Sequence, residues 1–136
     1  MRWIYGKQDW NTLKRGLENN YLLTNGLGGF SALTITGAAS RNDHSVFMAC
    51  VKAPNHRYNI VHRLSERLFL DGEEKILSTQ EFADGYTEDG YRYLSSFIYE
   101  DTPLWRYHVN GVSLSKEIAM KHGENTVAVV YTIENR

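Results

Sequence analysis

The sequence predicts an all-β chain: an antiparallel β-sandwich with one short helix near its N-terminus. Three observations carry that prediction. From Tyr21 onward, short apolar runs rich in β-branched and aromatic residues alternate with turn residues. Two hairpin dipeptides, Asp71-Gly72 and Asn110-Gly111, stand between such runs. Only the opening stretch holds a helical period.

That helix rests on Trp10, Leu13 and Leu17, which fall at i, i+3 and i+7 behind Asp9 as N-cap; Gly16 weakens it. Strands are expected at Tyr21–Thr24, Phe30–Gly37, His44–Lys52, Tyr58–Leu64, Arg67–Leu70, Lys75–Ser78, Tyr93–Tyr99, Leu104–Val109, Val112–Met120 and Thr126–Ile133. Asn110-Gly111 tolerates the positive φ angles of a two-residue type I′ turn, so Trp105–Val109 pairs back onto Val112–Lys116. Asp71-Gly72 repeats the device, bringing Leu68–Leu70 onto Lys75–Leu77 through two or more loop residues.

A period of two sorts the strand faces. Trp105, Tyr107 and Val109 share one core face, and Val127, Val129, Tyr131 and Ile133 share another. Arg106, His108, Thr126 and Thr132 fall on the wet sides. Only Glu134-Asn135-Arg136 follow the last strand. A sandwich cut short there is expected to leave sheet edges open to self-pairing, and so to a homodimer.

The 136 residues suit a single domain, residues 1–136, with a core that needs neither metal nor disulfide. Cys50, the lone cysteine, sits in the apolar run Val46–Val51 and reads as a buried, inert thiol in a reducing compartment. Acids and bases nearly cancel, 16 against 15, with no basic cluster for a phosphate backbone, which argues against nucleic acid. No apolar stretch is long enough for a signal peptide or a membrane span, so the cytoplasm is the expected compartment and no membrane is a partner. The five histidines show no metal-ligand spacing, and no cofactor motif is present.

Four segments mix groups that could carry chemistry. Thr24-Asn25-Gly26-Leu27-Gly28-Gly29-Phe30 exposes bare backbone amides between two strands; without a following Lys-Ser/Thr pair or helix it is no phosphate loop, and a tight turn explains it equally. Arg41-Asn42-Asp43-His44 supplies paired donors and acceptors of the kind hydroxyl groups need, or is an ordinary solvated loop. His122-Gly123-Glu124-Asn125 is a hairpin corner at one rim that mixes a base, an acid and an amide. The loop Ala83–Tyr93 holds Asp84, Glu88 and Asp89 beside three tyrosines and Arg92. Glycosidases need two carboxyls roughly 5–9.5 Å apart across the scissile bond, and a single loop holds two acids poorly, so no catalytic residue is assigned in this chain.

Read in order, these segments resemble one family. Leu22-Leu23-Thr24-Asn25-Gly26-Leu27-Gly28-Gly29-Phe30-Ser31, Thr36-Gly37-Ala38 with Arg41, Gly90-Tyr91-Arg92-Tyr93-Leu94-Ser95-Ser96-Phe97, Thr102–Tyr107 and Met120-Lys121-His122-Gly123-Glu124-Asn125-Thr126-Val127 are similar to the N-terminal domain of bacterial and archaeal glycogen debranching enzymes. The likeness runs from about Tyr21 to the C-terminus. Where the family shows Arg-x-Tyr-His-Gly, this chain reads Arg41-Asn42-Asp43-His44-Ser45: arginine and histidine carry over, tyrosine and glycine do not.

The resemblance implies a supersandwich-like domain ahead of an (α/α)6 barrel that carries the catalytic acids of an amylo-α-1,6-glucosidase. It implies an α-glucan oligosaccharide of the glycogen or maltodextrin type and that barrel as partners. Asn25, Gly26, Arg41, His44, Arg92, His122, Glu124 and Asn125 are the residues expected to face one or the other. Three readings stay open: a glycan-contacting and domain-orienting module, a purely structural sandwich, and an autonomous hydrolase built on the Asp84–Asp89 loop.

Overall fold

The computed structural model describes residues 1–52 and 56–135. Thirteen strands form among them, all paired antiparallel. One sheet has five strands: β1 (Trp3–Gly6), β10 (Leu94–Tyr99), β11 (Pro103–Val109), β12 (Val112–Met120) and β13 (Val127–Asn135), in that order. The second orders β2 (Asn20–Thr24), β3 (Phe30–Thr34), β4 (Ser45–Lys52) and β5 (His56–Val61). Two hairpins, β6 (Arg67–Leu70) with β7 (Glu73–Ile76) and β8 (Thr79–Glu81) with β9 (Thr87–Asp89), complete the set.

The sheets meet in an aromatic core. Tyr21 of β2 contacts Trp105 edge-on at 5.5 Å and Phe97 at 6.0 Å, while its hydroxyl meets Ser31 Oγ at 2.8 Å. Burial pushes the Tyr21 phenol well above its ordinary pKa. Trp105 is fully buried and donates its indole N–H to the Ile35 carbonyl at 2.9 Å, tying one sheet to the other. Both of these polar ends thus have a partner, the condition on which large aromatics enter a core without loss, whereas the buried Tyr107 hydroxyl has none among the described residues.

Both dipeptide hairpins close as two-residue turns, with Asp71 and Gly72 at φ 50° and 80°, and Asn110 and Gly111 at 46° and 81°. The first pairs Leu70 with Glu73, so its return strand begins two residues earlier than the sequence reading placed it.

Two expectations are corrected. The N-terminal helix is replaced by two 3-10 turns, Lys7–Asp9 and Arg15–Leu17. Trp10 dominates there: fully buried, it donates to the Leu94 carbonyl at 3.2 Å and pulls the chain onto the sheet. A Cβ at Gly16 would lie 2.7 Å from Thr36 Cγ2, so the backbone itself packs where a helix would have presented side chains. The second correction concerns β13. Its register places Val129, Tyr131 and Ile133 beside the inward Ile118, Lys116 and Leu114, yet Tyr131 is 42% and Ile133 57% exposed. The direction of the face was legible: Val127 and Val129 pack partly buried against the core, while the second half of the strand is left uncovered among the described residues.

A charged group lies against the aromatic core. Lys116 follows Val112 and Leu114 on the inward face of β12, sits 4.7 Å from the Trp105 ring and binds both Glu66 carboxylate oxygens at 3.3 Å. Burial holds its ammonium below the ordinary lysine pKa in spite of Glu66. Tyr131 donates to the same carboxylate at 2.9 Å.

Candidate functional site

The β2–β3 turn and the β12–β13 turn meet at one rim of the sandwich. Asn25 makes the junction. Its Oδ1 accepts from the Leu27 and Gly29 amides at 2.9 and 3.1 Å, fixing the glycine turn, and its Nδ2 donates to the Glu124 carbonyl and to Asn125 Oδ1, both at 3.2 Å. The Gly123 amide returns a bond to the Asn25 carbonyl at 2.6 Å. With 0% exposure and its amide fully engaged, Asn25 builds the corner rather than facing outward.

Gly26 explains why this turn cannot carry a side chain. At φ 82°, a Cβ there would fall 2.9 Å from His122 Nδ1, so the imidazole lies flat on bare backbone. His122 and Glu124 remain solvent-facing, the carboxylate 3.0 Å from Lys121 Nζ. Asn125 is tied down at both ends, accepting from Asn25 and reaching the Cys50 carbonyl at 3.5 Å. Cys50 is buried beneath it. Arg57 donates to the Gly28 carbonyl at 2.9 Å and lies over the Phe30 ring, adding a cation beside the corner that sequence reading passed over. Its signal was positional, since Arg57 pairs with Cys50 across β4 and β5.

The remaining residues lie elsewhere. His44 precedes β4 at the end opposite Cys50, six residues or about 20 Å away along the strand. Its imidazole is buried and turned inward, Nδ1 accepting the Ser40 and Arg41 amides at 2.9 and 3.1 Å. Burial lowers its pKa, because desolvation penalises the charged ring. Arg41 is exposed on the surface of that loop. Arg92 sits in the 3-10 turn Gly90–Tyr93, its guanidinium 4.0 Å from Asp89 and its carbonyl accepting Lys7 Nζ at 2.9 Å. It leads into Leu94, which aligns through Tyr107 with Leu114, at the end of β12 far from His122. The structure therefore brings together Asn25, Gly26, His122, Glu124 and Asn125, and sets Arg41, His44 and Arg92 apart from them.

The acidic loop is ordered by the β8–β9 hairpin. Glu88 is buried, bound by Arg63 and Ser78 at 3.1 Å each, and Arg63 lies over the Phe82 ring. A carboxylate so held braces the hairpin and offers no face to a substrate. Among the described residues no group of three or more His, Cys, Asp or Glu side chains could hold a metal ion, and no helix is long and apolar enough to cross a membrane.

Residues 19–136 match the family described as glycogen debranching enzyme N terminal. The chain belongs to that family. The match begins beside β2 and takes in every strand except β1, including the turns that meet at the Asn25 corner. No curated protein and no solved structure matches the chain. The all-β fold of this debranching-enzyme N-terminal domain is thus described by the present structure itself, and the likeness of its glycine turn and His-Gly-Glu-Asn turn to the family acquires a physical content: they form one hydrogen-bonded corner.

Proposed function

We propose that this chain is the α-glucan-contacting and domain-orienting module of a glycogen debranching enzyme. Bond cleavage in this reading belongs to an (α/α)6 catalytic domain seated against it. One observation carries the proposal: a fully buried amide locks two turns a hundred residues apart and leaves His122 and Glu124 displayed on rigid backbone. Sugar hydroxyls take paired donors and acceptors, which an imidazole and a carboxylate on a fixed platform supply. Arg41 and Arg92, at other parts of the molecule, serve a different contact: the partner domain.

Titration calorimetry of the chain with maltooligosaccharides tests this. The expected result is weak, millimolar binding, since shallow polar sites return much of their enthalpy to displaced water. Binding should be abolished by His122→Ala, and absence of heat from the parent chain at millimolar sugar would remove the glycan half of the reading.

A purely structural role has its own supporting observation. Asn25 and His44 are engaged inside the protein, Asn125 is bonded to its surface, and the uncovered Tyr131 and Ile133 form an apolar seat. In an intact enzyme that reading predicts unchanged kcat/KM for His122→Ala, where the glycan-contacting role predicts a clear loss.

A further inference from the structure

The flank of the sandwich between its two edge strands β1 and β2 holds a cleft of about 240 Å³ that none of the sequence motifs indicated. The register Trp3↔Tyr99 and Tyr5↔Phe97 turns these four rings inward, and Tyr21 closes the floor, stacked on Tyr99 at 6.3 Å and tilted on Phe97 at 6.0 Å. Asn20 stands at the mouth.

Trp3 is the anomaly among the three tryptophans. Trp10 and Trp105 are buried with their N–H groups bonded to carbonyls, whereas Trp3 is 54% exposed and its indole N–H has no hydrogen-bond partner among the described residues. The Tyr5 hydroxyl and the Asn20 side-chain amide likewise have no partner among the described residues. Three unpaired polar groups thus rim an aromatic cavity.

We infer that this cleft binds one pyranose ring of an α-glucan. The apolar C–H face of the ring lies against the aromatic walls, and its hydroxyls meet the indole N–H, the phenol and the amide. A wholly apolar ligand would strand those three groups without water or partner, at a cost a polyol avoids. The volume admits a single ring and falls below the usual range of larger ligand pockets, roughly 300–1,000 Å³. Leu22 on the cleft wall lies in β2 and Asn25 at the corner directly follows that strand, three residues or about 10 Å on, so one oligosaccharide spans from the cleft to the corner. The inference rests on the glycan-contacting reading and adds to it a second, aromatic subsite.

Trp3 supplies its own reporter, because acrylamide quenching of indole fluorescence reads the exposed ring and scarcely touches the two buried ones. Maltotriose is expected to protect Trp3 from quenching. Calorimetry should show about a tenfold weaker affinity for Trp3→Ala, a similar loss for Asn20→Ala, and a smaller loss for Trp3→Phe, which keeps a ring face and removes the N–H. Thermal melts establish that each variant is folded. Parental heat retained in Trp3→Ala, with or without a change in quenching, overturns the cleft while the corner reading stands. No heat from the parent chain overturns both.

Discussion

His44 shows how one side chain can look like a ligand group and be something else. Its Nδ1 takes two backbone amides, and protonation would break both bonds. With the folded pKa below the ordinary 6.5, the unfolded chain takes up the proton first. The stability that His44 supplies is therefore present above pH 6.5 and is lost as pH falls from there through the folded pKa. His44→Asn, which keeps an acceptor but does not titrate, should flatten this slope in urea melts between pH 7 and pH 5. His44→Ala should cost about 1–3 kcal/mol at pH 7 by leaving buried amides unpaired. Sequence reading found the cluster of polar types at 41–44 but not this role, because the direction of an imidazole is set by where the chain turns back. Asn25 went the same way: its glycine context marked a special turn, while the bonds that satisfy it come from residues a hundred positions later.

Strands were the legible elements. Residues 112–120 and 67–70 coincide with β12 and β6 because alternation and a two-residue turn fix both ends. The missed elements are β1, β8 and β9, each of three or four residues, too short to show a period of their own and formed only by pairing with a distant or acidic neighbour. The N-terminal helical period was real in the sequence but yielded to the burial of Trp10. On β13 the alternation correctly gave direction and could not give coverage. Its free edge carries Val130, Tyr131 and Ile133 exposed, without a lysine or proline to blunt it. We propose that the isolated chain self-pairs there. Sedimentation velocity should show a concentration-dependent dimer that Ile133→Lys returns to monomer, and a monomer at every concentration in the parent chain would dismiss the idea.

Across the whole molecule, the five-stranded sheet is held to the four-stranded one by apolar contact and to the segment between β5 and β6 by charge. Lys116 and Glu66 are an inward pair whose lysine a strict alternation would have given to an aliphatic residue, and that break in pattern was readable in Val112-Ser-Leu-Ser-Lys116-Glu-Ile118. Removing one partner leaves an uncompensated charge, so Lys116→Ala should cost about 3–5 kcal/mol. The double change Lys116→Met with Glu66→Leu, which replaces charge by volume, should recover most of that loss; chemical denaturation of the set measures it. Failure of the double variant to recover would mean that the pair is specified for more than packing.

The Asn25 tie has a consequence in time. Because it spans the chain from its first hairpin to its last, the loop it closes is nearly the longest available, and its entropy must be overcome after the intervening strands are in place. The displayed rim is thus expected to form late, and pulsed amide exchange at Leu27, Gly29 and Gly123 during refolding checks it. Once assembled, its amides at Leu27, Gly29 and Gly123 are shielded by one shared event, so the two turns open to solvent together or not at all.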